Sequence, residues 1–263
     1  MKQADGVIYL HGAPGGPLEL QLFGDPAGDG GARFHAPDRS TFAPDLAFGA
    51  YIDRLAEDIA ARFDGSLRLV GFSMGTFIAL NLAQRLGDRI SRIDLVSSAA
   101  PLSTGDYLPA MAGAAVFRMA RTQQKLFSAV SRAQFLAARH APGLLHHALF
   151  STARGEDAAL VRDPRFKAML RRMLLGALAG GAVNFRREIT AYVADWSSLL
   201  ATIRQPVTLW HGQDDNWSPP AMADYLSHTL PNVAAFERLE GLSHYSTLRH
   251  WLRSSGWGVE RRP

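Results

Sequence analysis

Six short stretches of this chain are rich in apolar residues, although Arg33 and His35, Arg92 and Asp94, and Glu237 and Arg238 interrupt three of them, and most of the segments between them repeat their apolar residues every three or four positions. The six, at 7–10, 33–36, 67–71, 90–97, 207–210 and 233–239, read as strands. Short runs rich in Val, Ile, Leu and Phe, bounded by Gly, Pro, Asp or Ser, suit a strand buried on both faces. Residues 46–63 carry helical spacing, and Ser218-Pro219 reads as a helix start, with serine capping and proline in the first turn. Strands alternating with helical segments imply a parallel sheet joined by crossover helices. Residues 101–205 break the alternation: they hold no convincing strand, are rich in helix formers and exceed any ordinary connection. They predict a helical cap inserted into a core made of 1–100 and 206–263.

The chemistry sits at the strand ends. Leu67-Arg68-Leu69-Val70 runs into Gly71-Phe72-Ser73-Met74-Gly75 and then straight into the helical pattern from Thr76. A serine on so tight a strand-to-helix turn needs small neighbours where strand and helix crowd each other, and the turn pushes its hydroxyl into the open. Upstream, Val7-Ile8-Tyr9-Leu10 runs into His11-Gly12-Ala13-Pro14-Gly15-Gly16-Pro17; downstream, the fifth strand runs into His211-Gly212-Gln213-Asp214-Asp215 and the sixth ends at Gly241-Leu242-Ser243-His244. The order along the chain is serine, acid, histidine. In open parallel sheets ligands bind beyond the carboxyl ends of the strands, where all these residues fall.

Together the glycine-rich loop, the serine elbow, the acid segment and the late histidine resemble the α/β-hydrolase fold family over nearly the whole chain. The resemblance implies a mostly parallel, doubly wound sheet carrying a helical cap, and a serine hydrolase without cofactor or metal. Family members usually have two strands before the His-Gly loop, so this sheet looks truncated, with the strand at 33–36 as an open edge that is covered or pairs with a second copy in a homodimer. Ala36-Pro37-Asp38-Arg39 is similar to the family's next strand end. In the family pattern Gly-x-x-Asp-x-x-x-Pro, Gly212 and Pro219 bracket Asp215 as the acid, while the adjacent Asp214 stays open as an alternative.

A serine hydroxyl is a poor nucleophile at neutral pH and must pass its proton to a base as it attacks. His244 is the candidate base. A carboxylate on its other ring nitrogen would hold the useful tautomer and stabilise the cation. The developing oxyanion needs donors: the Met74 N–H, directly after the serine, and the Ala13 N–H, because Pro14 has none. His11 and His211, each before a glycine at a strand end, read as residues that orient their loops. His228 and His250 read as surface histidines.

Charge separates the parts. Residues 101–200 hold 13 Lys/Arg against 6 Asp/Glu, and the rest of the chain 15 against 18. Arg118, Arg121, Lys125, Arg132 and Arg139 would share one face of a single helix, opposite Val116, Phe127 and Val130. Such a stripe is either a solvated face or an attraction for anionic substrates or an acidic surface. No nucleic-acid motif accompanies it. Gly176, Gly180 and Gly181 read as a helix-helix turn or a bend of the cap. Met111, Phe117, Met119, Phe127, Met169, Met173 and Phe185 are candidates for an apolar pocket or for plain core.

The 263 residues, 47% hydrophobic and without cysteine, suffice for one large core and exclude disulfides and thiol nucleophiles. No apolar run approaches the ~18 residues of a membrane helix, and the chain enters its first strand without a leader pattern, so a cytoplasmic protein is expected. The reading is a hydrolase of a small carboxylic ester or thioester, acting through an acyl-enzyme. Amide or carbon-carbon bond hydrolysis on the same residues is the alternative, with Glu188 or Asp195 as the carboxylate an aminopeptidase would need. A ligand receptor of the same fold is the other.

Overall fold

The computed structural model describes residues 6–23, 34–177 and 182–255. Arg33, at the start of the second predicted strand, Gly180 and Gly181, and the opening residues before Gly6 lie outside them. Six strands form one parallel sheet in the order β2-β1-β3-β4-β5-β6: β1 Gly6–Leu10, β2 Phe34–His35, β3 Leu67–Phe72, β4 Ile90–Val96, β5 Val207–Gly212 and β6 Val233–Leu239. Each falls on a stretch chosen from the apolar pattern. All five residues of β1, and five of the six of β3, are buried, which is why they show no polar alternation.

Between the strands lie α1 Phe48–Arg62, α2 Gly75–Leu86, α9 Pro220–Thr229 and α10 His244–Ser254. Helix α2 packs on β1, β3 and β4 and against α1, while α9 and α10 pack on β5. Its fit against β1 is very close: a Cβ on Gly75 would stand 1.9 Å from the Leu10 carbonyl oxygen. Only a residue without a side chain lets the first turn of α2 rest on the end of β1. The α9 start differs from the expectation. Its N-cap is Pro219, with Pro220 in the first turn, and the Ser218 side chain does not cap it.

Residues between β4 and β5 fold into helices: α3 Ala114–Thr122, α4 Gln124–His140, α5 Pro142–Phe150, α6 Asp157–Leu160, α7 Pro164–Ala177 and α8 Val183–Tyr192. The basic stripe does not lie on one helix. Gln123, at φ −141° and ψ 63°, breaks the chain between α3 and α4, so Arg118 and Arg121 belong to one axis and Lys125, Arg132 and Arg139 to another. All five are exposed. Phe127 is buried and meets Phe185 at 6.1 Å between ring centroids. Gly176 lies within α7 rather than at a helix-helix turn.

The strand at 33–36 is the sheet edge expected of it. Strand β2 is an edge of only two half-buried residues. The longer edge is β6, whose Glu237 and Arg238 are exposed; charges along such a strand discourage pairing with another copy. Among the described residues no helix is long and apolar enough to cross a membrane.

The Gly75 contact predicts a sharp asymmetry. Gly75→Ala is expected to cost at least about 1–3 kcal/mol through overpacking, whereas Gly49→Ala in α1, where nothing lies within 4 Å of the added carbon, should be neutral or stabilising. Urea denaturation midpoints of the two variants check it.

Candidate active site

Ser73 ends the β3-to-α2 turn with φ 56°, a left-handed conformation that a serine adopts at a cost of about 1–3 kcal/mol. Its backbone is fixed on both sides: the Ser73 N–H donates to Val96 O at 2.9 Å, and Thr76 N–H donates to Ser73 O at 3.0 Å. The His-Gly loop comes up beside it, since a Cβ on Gly12 would stand 3.2 Å from Ser73 Cβ. Ser73, His244, Gly12 and Ala13 line one narrow cavity of about 10 Å³.

His244 is the first residue of α10, behind a capping box in which Ser246 Oγ accepts from the Ser243 N–H at 2.7 Å. Its Nδ1 lies 2.8 Å from Asp215 Oδ2. The other oxygen of Asp215 accepts the Trp217 and Ser218 N–H groups at 2.8 and 2.9 Å. Asp215 is thus the carboxylate that faces the histidine, while the Asp214 side chain lies beside Gly155 in the helical insertion. The ring of His244 is held between Phe72, at 4.8 Å, and Trp217, stacked at 5.8 Å. Burial alone would lower the His244 pKa, but the charge and hydrogen bond of Asp215, with Asp157 and Glu19 behind, leave it above its ordinary value. Burial pushes Asp215 up; His244, His211 and the backbone donors outweigh it and bring Asp215 below the usual carboxylate range.

The other histidines take the loop roles read from the sequence. His211 is buried, kept neutral by desolvation, and donates from Nε2 to Ser218 O at 2.8 Å. His11 Nδ1 lies 2.8 Å from Gly12 O and 3.0 Å from Arg39 Nη2. His228 and His250 are bound to local groups on their own helices.

Several groups around the site hold contacts that the sequence pattern did not give them. Ser97 is fully buried and its Oγ donates to the His244 carbonyl at 2.9 Å. Asp157, from the insertion, accepts the Tyr245 and Ser246 N–H groups at 2.9 and 2.7 Å, pinning the start of α10. Arg39 is buried and pairs with Glu188 of α8 through Nε–Oε1 and Nη2–Oε2 contacts, both 3.0 Å, while Tyr51 donates to Glu188 Oε1 at 2.7 Å. Glu19 is fully buried under the His-Gly loop, where its Oε2 accepts the Gly12 N–H at 2.9 Å and the Tyr9 hydroxyl at 2.8 Å. Serial spacing could not flag them, because each meets a partner distant in the chain or an ordinary backbone group.

Gly12 N–H is therefore committed to Glu19, and Pro14 has no N–H. Among the described residues neither the Ala13 nor the Met74 N–H is taken by another acceptor. A second cavity of about 230 Å³ runs from Ser73 under the insertion, walled by Met111, Phe117, Leu145, Leu149, Phe185 and Ile189. Three of the seven apolar candidates thus line it; Met169 faces a different surface cleft and Met173 the outer side of the His-Gly loop. Among the described residues no group of three His, Cys, Asp or Glu side chains converges as metal ligands would.

The alpha/beta hydrolase fold family matches residues 7–250, and the chain belongs to it. It is similar to a pimeloyl-[acyl-carrier protein] methyl ester esterase of Aromatoleum aromaticum, 24% identical, with 93% of this chain and 92% of the relative covered. The enzyme of that description from Neisseria meningitidis is 27% identical over 76% of this chain and 70% of its own. Among solved structures, a bromoperoxidase from Bacillus anthracis superposes with a TM-score of 0.67 at 16% identity, covering 97% of this chain and 90% of its own.

Glu19 makes a prediction about stability. Burial pushes its carboxyl up to about 7 from an ordinary 4.5. As pH rises from 4.5 the unfolded chain releases this proton and the folded chain keeps it, so the contribution of Glu19 to stability falls up to about pH 7 and stays low above it. Glu19→Gln removes that penalty. Its melting temperature relative to the parent is expected to rise from pH 5 to pH 8, by the equivalent of up to about 3 kcal/mol, measured by calorimetry at both pH values.

Proposed function

We propose that this protein is a serine hydrolase that cleaves carboxylic esters through an acyl-enzyme. The observation that carries the reading is the 2.8 Å contact of Asp215 with His244, on a ring that shares its cavity with Ser73 and the His-Gly loop. Ser73 Oγ attacks the ester carbonyl as His244 takes its proton; the negative charge moves to the carbonyl oxygen, where the Ala13 and Met74 N–H groups receive it. Collapse expels the alcohol, which takes the proton back from His244. Water, deprotonated by the same ring, then releases the acid. Asp215 keeps the imidazole in the tautomer that accepts from serine and offsets the cation while it lasts.

The chamber beside Ser73 supports an acyl group as the part that is buried. At about 230 Å³, with mostly apolar walls, it has room for an acyl chain. The relatives act, by name, on a methyl ester whose acyl group is attached to a carrier protein. An acyl chain presented by a carrier fits the chamber, and the excess of basic residues over 101–200, 13 against 6, would suit a carrier with an acidic surface. The aminopeptidase alternative loses support, since both oxygens of Glu188 are engaged by Arg39 and Tyr51. Asp195 is exposed and bound to Ser103 Oγ and the Ser197 N–H.

A fluorophosphonate probe is expected to label the protein and to fail on Ser73→Ala; a folded wild type that takes no label would refute the enzyme. Asp215→Asn should lower kcat by about 10³- to 10⁴-fold through the wrong tautomer, and Asp214→Asn by less than about threefold. On p-nitrophenyl esters of increasing length, kcat/KM should peak near the length the chamber accepts, with no turnover of an aminoacyl p-nitroanilide. Because the His244 pKa is raised, turnover should fall as pH drops through a midpoint above 6.5.

A further inference from the structure

Glu19 is a buried carboxyl under the His-Gly loop that the mechanism leaves unused. It is fully buried, it belongs to no pair with a cation, and Oε1 has no hydrogen-bond partner. A carboxyl in such a place costs stability and needs a compensating role. Its location supplies one. Gly12 is held at two neighbouring peptide units: its N–H donates to Glu19 Oε2 at 2.9 Å, and its carbonyl, in the same peptide plane as the Ala13 N–H, lies 2.8 Å from His11 Nδ1 and 3.5 Å from Arg39 Nη2, while the Tyr9 hydroxyl, on β1, donates to the same carboxyl oxygen at 2.8 Å. The next N–H along the chain is that of Ala13.

We propose that Glu19 is a positioning residue of the His-Gly loop: by holding the Gly12 N–H beneath the loop it turns the following Ala13 N–H toward the oxygen that becomes negative during acyl transfer. The assignment rests on the serine-hydrolase reading above. Loops rich in glycine do not hold one orientation unaided, and an oxyanion donor acts only if it is aimed before the charge appears. With Gly12, Gly15 and Gly16 in the loop, the carboxyl below and His11 beside it supply the stiffness the backbone lacks. The neutral acid would serve as well as the anion, since either form leaves an oxygen to accept from Gly12. A glutamine can therefore replace it, but an aliphatic residue cannot.

The test compares Glu19→Gln, Glu19→Met and Tyr9→Phe with the parent on a p-nitrophenyl ester. Wild type must first label with the fluorophosphonate in a Ser73-dependent way; failure there overturns the hydrolase reading itself and the loop assignment with it. Given labelling, Glu19→Met is expected to lose about 10- to 100-fold in kcat with KM within about twofold, because a misaimed donor is felt in the transition state and not in substrate binding. Affinity for an alkyl boronic acid, which places an anionic oxygen in the same site, should weaken by a similar factor. Glu19→Gln should keep kcat within about threefold. Tyr9→Phe, which leaves the Gly12 contact in place, should do the same, and Glu19→Leu is read in place of Glu19→Met if the latter does not fold. Unchanged kcat in folded Glu19→Met, a loss in kcat without weaker boronate binding, or a loss in Tyr9→Phe of tenfold or more would each overturn the assignment.

Discussion

The close seating of α2 on β1 is the constraint from which the site is built. With the first turn of the helix against the Leu10 carbonyl, the chain that leaves β1 and the chain that leaves β3 emerge side by side, and the His-Gly loop has nowhere to go except past Ser73. The left-handed serine is the backbone's solution to making that turn in so little room. Strain of this kind persists because the surrounding sheet over-determines it. Ser73 accordingly holds Val96 O on one side and Thr76 N–H on the other, both anchored in regular structure.

The acid-histidine pair is made rigid in a different way. Asp215 has one oxygen for the backbone of its own turn and one for the imidazole, so its orientation is decided before the histidine is considered. The ring is then clamped between two aromatic faces, its carbonyl tied to Ser97 and its helix start tied to Asp157. Fixed dipoles in a dry setting act more strongly than the same groups in water and need no rearrangement when charge develops.

Much of this was legible from the residues in order. The central strands β1 and β3 announce themselves because burial leaves an almost unbroken apolar run, the half-buried β2 and β6 less so, and the stretches that carry Ser73, Asp215 and His244 stand out because each follows shortly after a strand. Asp215 was preferred to Asp214 only on the family pattern, since neighbouring carboxylates on a turn point by backbone geometry that spacing does not reveal. The basic face was read across Gln123 as though one helix ran through it, an error of periodicity, because helical spacing survives a single-residue break. Glu19, Ser97, Asp157 and the Arg39–Glu188 pair were invisible for a deeper reason. Their meaning lies in partners brought by folding, such as α8 to Arg39 across 149 positions.

That last pair has a bearing on how a reactant gets in. Arg39 and Glu188 are both buried, and Asp157 and Asn216 add further ties, the latter through Thr152 O at 2.7 Å and the Ala112 N–H at 2.7 Å. Swinging the whole helical insertion away would strand a guanidinium and a carboxylate in a water-poor place, a separation that costs about 3–5 kcal/mol when one partner is lost. An opening toward Ser73 that left these ties intact would have to come from local parting among helices bolted to the sheet, closer to a valve than to a hinged door.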